Sequence, residues 1–416
     1  MTIWRPFTQE KTAKASIKIV KGLGPYLFVE DGKRYLDMIS SWWVNILGHS
    51  NKEIADAIYE QAKTLEHVIF AGFSHDPAQK LTDELQKLLP KELCYFFFSD
   101  NGSTAVEVAL KMAYQYFKNL KKKDRNIFIN LEGGYHGDTL GAMSAAGKSS
   151  DYHATFSEFF FETFSIDFPE FYIGVENIEE KEEKSVEKLK SFLKRKGYNV
   201  CALIVEPLIQ GAAGMRTYRP EFLNRIVEEV RKYGILVIFD EVMTGFFRAG
   251  TMFAMEQTTV VPDLICLSKG ITGGFLPLSL TIATGKIYKA FLSDDWKKAL
   301  IHGHSYTANP ISCAAACKSL EILKRKETQD NIKNINHFYE HNTNFNSAIY
   351  KKRIQGTIFA IDVSDDIKAK KARDEMFNMG VIIRPINNSI YLIPPYCVGI
   401  DNLEYVFKNL EKSLLK

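Results

Sequence analysis

The amino-acid sequence predicts an α/β fold, in which a mostly parallel sheet carries helices on both faces. Apolar runs of four or five residues indicate buried strands at 95–98, 127–131, 201–205, 235–239 and 264–267. The stretches 51–66 and 77–89 instead repeat apolar residues every three or four positions, which is typical of amphipathic helices. This series of elements predicts one large domain, roughly residues 49–310.

Length and composition are ordinary for a soluble globular protein. The chain has 416 residues, of which 46% are hydrophobic and 25% are charged. A net charge of +3 is too small to favour nucleic acid or an anionic membrane as a partner. No apolar run reaches the roughly 18 residues of a spanning helix, and no secretion signal is recognisable. We therefore expect a cytoplasmic protein.

The six cysteines do not form a ligand pattern. Cys313 and Cys317 would share a helix face, but no second pair of ligands lies nearby at zinc spacing. His302 and His304 form a His-x-His motif without an apparent third ligand. The sequence predicts neither a metal site nor a disulfide framework.

The N-terminal segment combines a predicted hairpin with a pair of tryptophans. Residues 26–29 and 34–37 flank an Asp-Gly turn, and Ser-Ser-Trp42-Trp43 follows. Neighbours in a strand alternate sides, so Trp42 and Trp43 cannot both face one core from a strand. Two interpretations remain open: one buried ring with the other at an interface, or an apolar wall of a substrate pocket.

A strand, a Gly-Ser turn and a helix N-terminus follow one another near residue 100. Strand 95–98 leads to Gly102, and Ser103 begins a helix in which Thr104 and Glu107 fit a capping box. Free backbone N–H groups and the helix dipole attract phosphate at such an N-terminus. An ordinary capped helix has the same pattern.

Two other predicted strands end in polar loops. The strand 127–131 leads to a Gly-Gly-Tyr-His-Gly-Asp segment, in which Tyr135 is either a cofactor-stacking ring or a surface residue. We expect His136 to be a hydrogen-bonding neighbour rather than a base. The strand 201–205 ends at Glu206, which either bonds within a site or caps a loop. Around these strands, residues 150–200 carry the weakest pattern of the chain.

The next two strands end in side chains of opposite charge. The run 235–239 leads into Asp240, and the run 264–267 is followed by Lys269. Because open α/β sheets bind ligands at the carboxyl ends of their strands, both side chains are expected at one rim. A lysine there can form a Schiff base with an aldehyde cofactor, and an aspartate can pair with a pyridinium nitrogen. Taken without their neighbours, Asp240 and Lys269 fit a simple salt bridge between two loops as well as they fit a cofactor site.

The surrounding residues resemble the signature of the class III aminotransferases, which are pyridoxal-phosphate enzymes. The resemblance rests on Asp240 to Gly250 (DEVMTGFFRAG), Pro262-Asp-Leu264 and Ser268-Lys-Gly270, and it extends over essentially the whole chain. It implies the aspartate-aminotransferase fold (fold type I), with residues 49–310 as the cofactor-binding domain. Residues 1–48 and 311–416 would form a smaller α/β domain.

The resemblance also implies roles for individual residues. Lys269 would bind pyridoxal 5'-phosphate covalently, Asp240 would pair with its ring nitrogen, and Tyr135 would stack on the ring; these are the expected catalytic residues. Ser305, where the family usually has threonine, would reach the cofactor of a neighbouring subunit, which implies a homodimer with shared active sites. Gly102 and Ser103 would hold the cofactor phosphate, Ser305 would reach the phosphate of the neighbouring subunit, and His304 is a further expected cofactor-binding residue.

Further motifs narrow the resemblance to members of the class that act in biotin biosynthesis. These are WRPFT at 4–8, SSWW at 40–43, GGYHGD at 133–138, His302-Gly303, and Arg384-Pro385 with Tyr391. They imply amino transfer to the ketone of 8-amino-7-oxononanoate, with S-adenosylmethionine as the expected donor. Lysine as donor, or another ω-amine substrate, is the alternative. The expected substrate site consists of Phe7, Trp42, Trp43, Tyr135, Gly303, Arg384 and Tyr391.

An arginine between strands can bind a carboxylate with two hydrogen bonds, and the resemblance assigns Arg384 to the oxo-acid carboxylate. Without that context, a surface ion pair is equally plausible. The sequence departs from the family at Phe7, where many members have tyrosine, and at His304, where many have proline. The missing hydroxyl at Phe7 leaves the identity of the amino donor open.

Overall fold

The computed structural model describes residues 3–148, 154–343, 345 and 350–415. Residues 150–153 of the weakly patterned stretch therefore lie outside the described part of the chain. In chain order the strands are β1 (Ile19–Leu23), β2 (Tyr26–Val29), β3 (Arg34–Asp37), β4 (Leu93–Ser99), β5 (Ile127–Leu131), β6 (Thr163–Ile166), β7 (Val200–Val205), β8 (Ile209–Gln210), β9 (Arg216–Thr217), β10 (Leu236–Asp240), β11 (Leu264–Leu267), β12 (Ser279–Thr284), β13 (Lys351–Gln355), β14 (Ile358–Asp362), β15 (Val381–Ile382) and β16 (Ser389–Leu392).

The described helices include those that cover both faces of the largest sheet, and none of them is long and apolar enough to cross a membrane. They are α1 (Ser40–Trp43, one turn), α2 (Lys52–Thr64), α3 (Asp76–Gln86), α4 (Gly102–Asn119), α5 (Leu140–Ala146), α6 (Ile178–Lys196), α7 (Pro220–Arg231), α8 (Gly285–Lys289), α9 (Pro310–Leu323), α10 (Lys326–His341), α11 (Asp366–Asn378) and α12 (Ile400–Leu414).

The largest sheet is the predicted one. Its seven described strands lie in the order β4-β12-β11-β10-β7-β5-β6. Only β12 runs antiparallel to its neighbours, so the sheet is mostly parallel, as expected for an α/β fold. Every residue of β7 and β10 is buried, which explains their continuous apolar sequences.

The register of this sheet brings the two charged residues to one rim. β10 and β11 pair in parallel, with Asp240 opposite Cys266. Lys269 lies three residues further along, just beyond the end of β11. Because parallel strands end at the same edge of a sheet, the order of the strands alone brings Asp240 and Lys269 together.

Three smaller sheets lie outside the large one among the described residues, and the smallest is the two-stranded pair β8-β9. The first has the order β1-β2-β3-β15, and its parallel β3–β15 pair joins an N-terminal strand to a C-terminal one. The second has the order β13-β14-β16. The division into residues 49–310 against 1–48 with 311–416 stays a prediction, although β15 shows that both ends of the chain share a sheet.

Gly274 offers a test of how tightly the rim is packed. Its φ is +88°, and a Cβ there would lie 2.7 Å from Asn45 Cα and 2.9 Å from Val44 O. We expect Gly274→Ala to lower the free energy of unfolding by about 2–4 kcal/mol, from backbone strain plus overpacking. Gly72 is the matched control, since its φ is +89° but a Cβ there would meet no described atom within 4 Å. Gly72→Ala should cost about 1 kcal/mol; equal losses in denaturant titrations would show that packing at Gly274 contributes nothing.

Candidate active site

A cavity of about 1050 Å³ lies beyond the carboxyl ends of β4, β5, β7, β10 and β11. Residues that directly follow these strands form its floor, as expected for an open α/β sheet. The structure does not bring Gly303, His304 or Ser305 of the same chain to this cavity. The expected site residues that line it are Phe7, Trp42, Trp43, Gly102, Ser103, Tyr135, Asp240, Lys269, Arg384 and Tyr391.

Asp240 is buried at the end of β10 and is held at both carboxylate oxygens. Its Oδ1 accepts a hydrogen bond from the Val242 backbone N–H at 3.1 Å. Its Oδ2 lies 2.8 Å from His136 Nδ1, and the ring must be the donor because a carboxylate only accepts. His136 is therefore the hydrogen-bonding neighbour that the sequence predicted, and it fixes the orientation of the carboxylate.

Lys269 begins a short 3₁₀ turn after β11, with a backbone φ of +46°. A non-glycine residue in this region is strained, and such strain is concentrated at functional sites. The amine lies 4.5 Å from the centroid of the Trp43 ring. Burial lowers the Lys269 pKa, against the opposing charges of Asp240 and Glu206. A lowered pKa supplies more of the neutral amine, which is the nucleophilic and basic form.

Glu206 connects two loops below the cavity, a function that the sequence left undecided. Its Oε1 accepts from the Tyr135 backbone N–H and its Oε2 from the Gly211 N–H, each at 3.0 Å. Burial raises the pKa of Glu206 to about 7. Burial also raises the pKa of the Tyr135 hydroxyl, together with its interaction with Asp138. Tyr135 therefore stays protonated and can present a neutral ring to the cavity.

The helix at the predicted phosphate site begins one residue earlier than expected. α4 starts at Gly102, and Asn101 caps it in a reciprocal capping box with Thr104. The capping role expected for Glu107 is wrong, because Glu107 Oε1 accepts from the backbone N–H groups of Gly141 at 2.7 Å and of the next residue at 3.2 Å. Glu107 thus stabilises the start of α5 instead.

Glycine is required on both sides of this helix start. A Cβ on Gly102 would lie 2.6 Å from Val242 Cγ1, and one on Gly137 would lie 2.2 Å from Ser103 Oγ. Ser103 Oγ accepts from the Asp138 backbone N–H at 3.2 Å. Gly102 and Ser103 line the cavity in the first turn of α4, where backbone N–H groups have no partner within the helix, as an anion site needs.

The adjacent tryptophans lie in a left-handed turn rather than in the strand that the sequence argument assumed. Residues 40–43 all have positive φ, which costs roughly 1–2 kcal/mol per residue for L-amino acids. Trp43 is 5% exposed, and its Nε1 donates to the Tyr391 hydroxyl at 3.1 Å. Trp42 is 38% exposed and lines the cavity. One ring is buried, as the first interpretation expects, and both rings line the cavity, as the second expects.

Three side chains contact one another at the mouth of the cavity. The Phe7 ring meets the Trp42 ring edge-on, with centroids 5.9 Å apart. The Arg384 guanidinium lies 3.9 Å from the Trp42 centroid, which is cation–π geometry. Arg384 therefore presents a cation beside the exposed rings of the cavity wall.

His304 and Ser305 lie outside the wall of this chain's own cavity. His304 Nε2 is 3.1 Å from Asp100 Oδ2, so His304 reaches the phosphate end only through Asp100, which lines the cavity. Ser305 is exposed. Its expected target belongs to a second subunit, so its role stays a prediction.

The residues fit pyridoxal 5'-phosphate at both ends of the molecule. The tightly packed start of α4 at Gly102 and Ser103 offers an anion site, and Asp240 offers a fixed carboxylate to a ring nitrogen. Lys269 offers an amine to an aldehyde. One cavity therefore contains the three contacts that this cofactor requires.

Comparisons with known proteins point the same way. The family model for class III aminotransferases matches residues 7–414. The adenosylmethionine-8-amino-7-oxononanoate aminotransferase of Synechococcus elongatus is 45% identical, over 97% of this chain and 96% of that protein. The crystal structure of the enzyme of that name from Methanocaldococcus jannaschii has a TM-score of 0.90 at 33% identity, covering 100% of this chain and 97% of that one. An amine transaminase from an uncultivated Pseudomonas species, crystallised in a PLP-bound form, has a TM-score of 0.90 at 28% identity, covering 100% and 98%.

Proposed function

Since the chain belongs to the class III aminotransferases, we propose that it converts 8-amino-7-oxononanoate to 7,8-diaminononanoate in biotin biosynthesis. S-adenosylmethionine is the proposed amino donor, as the names of the relatives indicate. Enzymes of this class use pyridoxal 5'-phosphate, which carries the amino group from donor to acceptor and draws electrons from the reacting carbon. The observation that carries the proposal is that Trp42, Trp43, Arg384 and Tyr391 line the same cavity as Lys269 and Asp240.

Each part of the reaction has a candidate residue. Lys269, with its lowered pKa, would take a proton from the donor carbon in the first half of the reaction and deliver one to the acceptor carbon in the second; between the two halves that proton would stay on the cofactor. Asp240 would keep the ring nitrogen of the cofactor protonated, because His136 and the Val242 N–H hold the carboxylate in place. Arg384 binds the carboxylate of the acceptor at the mouth of the cavity.

The wall of the cavity suits a long aliphatic acceptor. Trp42 and Trp43 present aromatic surface between the cation of Arg384 and the amine of Lys269. An acceptor with a carboxylate at one end and a ketone near the other can contact both the guanidinium of Arg384 and the amine of Lys269 along this wall. The same aromatic surface can attract the sulfonium of S-adenosylmethionine or the ammonium of lysine, so it does not by itself select the donor.

The test is a product assay with separate donors. Purified protein loaded with pyridoxal phosphate is incubated with 8-amino-7-oxononanoate and either S-adenosylmethionine or lysine, and 7,8-diaminononanoate is measured by mass spectrometry. We expect product with S-adenosylmethionine. Product with lysine alone would overturn the donor but leave the acceptor. No product with either donor, together with turnover of ornithine or 4-aminobutyrate, would overturn the proposed function.

We further propose a homodimer in which Ser305 contributes to the site of the partner subunit. The loop at residues 302–306 is largely exposed in a single chain and does not line its own cavity. Active protein should therefore sediment as a dimer or larger, and Ser305→Ala should weaken cofactor binding by up to about tenfold, through one lost hydrogen bond to phosphate. Tyr306→Phe, next to it in the loop, is the matched control. A catalytically competent monomer at assay concentration would contradict the dimer.

Small-molecule substrates follow from membership of the class. The remaining expectations stay predictions. A cytoplasmic location rests on the sequence alone, and so does the expectation that neither nucleic acid nor a membrane is a partner. A fluorescent fusion in the native cell would test the location directly.

A further inference from the structure

The aromatic wall of the substrate cavity rests on a backbone that L-residues rarely adopt. Ser40, Ser41, Trp42 and Trp43 have φ values of +46°, +44°, +71° and +74°. Hydrogen bonds from the Trp43 N–H to Ile39 O at 2.9 Å and from the next N–H to Ser40 O at 3.0 Å close one left-handed turn. Left-handed conformations are usually single glycine or asparagine residues. A whole turn without either persists only where surrounding groups hold it.

The first holding group is Asp37, which is 1% exposed at the end of β3. Its Oδ2 accepts from Ser41 Oγ at 2.7 Å and lies 2.9 Å from His49 Nε2. Its Oδ1 accepts from the Ile39 N–H at 3.2 Å. Burial alone would raise the Asp37 pKa, but the bonds from His49 and Ser41 outweigh it and hold the pKa below its usual value. The buried carboxylate of Asp37 therefore holds the hydroxyl of Ser41 by a hydrogen bond.

The second holding group is Arg248, which is 1% exposed in the loop after β10. Its guanidinium donates to Ser40 Oγ at 2.6 Å and to the Pro394 carbonyl at 2.6 Å. Ser40 Oγ in turn donates to the Ile393 carbonyl at 2.7 Å. A buried cation thus ties the first serine to the segment that directly follows β16, the strand that contains Tyr391.

We propose that Asp37 and Arg248 are positioning residues for substrate selection, which act by clamping the hydroxyls of Ser41 and Ser40. None of these four residues lines the cavity. The clamp fixes the next two residues of the turn, so that Trp42 faces Arg384 at 3.9 Å and Trp43 faces Lys269 at 4.5 Å. This inference goes beyond the proposed function. It rests on that function only for the choice of 8-amino-7-oxononanoate as the substrate in the kinetic part of the test below.

Substitutions of Ser41 separate two effects, the strain of a positive φ and the hydrogen bond of the hydroxyl. Glycine at position 41 would relieve the strain of positive φ but remove the hydroxyl that Asp37 holds. Alanine would keep the strain and remove the hydroxyl. If the hydroxyl clamp positions the wall, both substitutions are harmful; if the backbone conformation alone matters, glycine is harmless. Ser50 is the matched control, since it is an exposed serine with a φ of +54° outside the clamp.

The experiment measures the position of Trp42 and substrate affinity separately. The chain has four tryptophans, and Trp4→Phe with Trp296→Phe removes the two that are 88% and 72% exposed. Because Trp43 is buried, acrylamide quenching of the holoenzyme in this background reports mainly on Trp42. Ser41→Gly, Ser41→Ala, Ser50→Gly and Ser50→Ala are compared in the same background.

We expect both Ser41 variants to raise the quenching constant about twofold and the KM for 8-amino-7-oxononanoate about tenfold, with kcat within about twofold, as loss of a hydrogen bond to a charged group predicts. The Ser50 variants should change neither quantity. Unchanged KM and quenching in Ser41→Gly would overturn the clamp, and so would a raised KM without a change in quenching. If the unmodified enzyme does not turn over this acceptor, the proposed function fails, and quenching alone still decides the clamp.

Discussion

Replacing Lys269 by alanine is expected to abolish covalent attachment of pyridoxal phosphate and to lower amino transfer by roughly 10²–10⁴-fold or more. The side chain is the amine within the cavity, and burial lowers its pKa toward the range of an effective base. Alanine removes both the nucleophile and the proton carrier, while the wall formed by Trp43 stays in place. The loss should therefore fall on kcat rather than on substrate binding.

Lys286→Ala provides a control for this substitution. Lys286 is an exposed lysine paired with Asp263 at 3.2 Å, remote from the cavity. Borohydride reduction of each holoenzyme, followed by peptide mass spectrometry, should find the cofactor on Lys269 in the unmodified chain and in Lys286→Ala. A cofactor adduct on another lysine in the Lys269→Ala variant would refute the assignment.

The position of Lys269 relative to Asp240 was predictable because it depends on sheet topology alone. Buried parallel strands have continuous apolar sequences, so β10 and β11 could be recognised without any partner contacts. Their order places both functional side chains at one rim. The helix start at Gly102 was predictable within one residue for a similar reason, since a glycine turn directly after a strand is a local feature, although the capping pair itself was not.

Features decided by tertiary contacts were beyond the sequence. Serine and tryptophan have no preference for positive φ, so nothing in residues 40–43 indicated a left-handed turn. The groups proposed to hold the turn are the buried side chains of Asp37 and of Arg248, which is distant in the sequence. Glu107 had the spacing of a capping residue for its own helix, but a closer pair of N–H groups in α5 takes its carboxylate. The same limit applies to β6, a four-residue edge strand within a weak pattern.

Asp240→Asn is expected to leave the fold and cofactor binding largely intact and to lower kcat by roughly 10²–10³-fold, the usual effect of removing one preorganised electrostatic contact. The carboxylate accepts at Oδ2 from His136 and at Oδ1 from the Val242 N–H. An asparagine can accept at only one atom, so its NH₂ group must face one of these two donors. The variant therefore loses the negative charge and disturbs the fixed orientation as well.

Asp263→Asn is the matched control for Asp240, because it makes the same change at the opposite end of the same sheet. Asp263 precedes β11, and its Oδ2 accepts from the Val237 N–H at 3.0 Å, away from the cavity. Its replacement should cost stability but leave kcat within about twofold in the cofactor-saturated enzyme. Steady-state kinetics and cofactor titration on both variants separate the effects. Because Asp240 acts through its charge, near-normal kcat in Asp240→Asn would show that the ring-nitrogen partner is supplied by some other group.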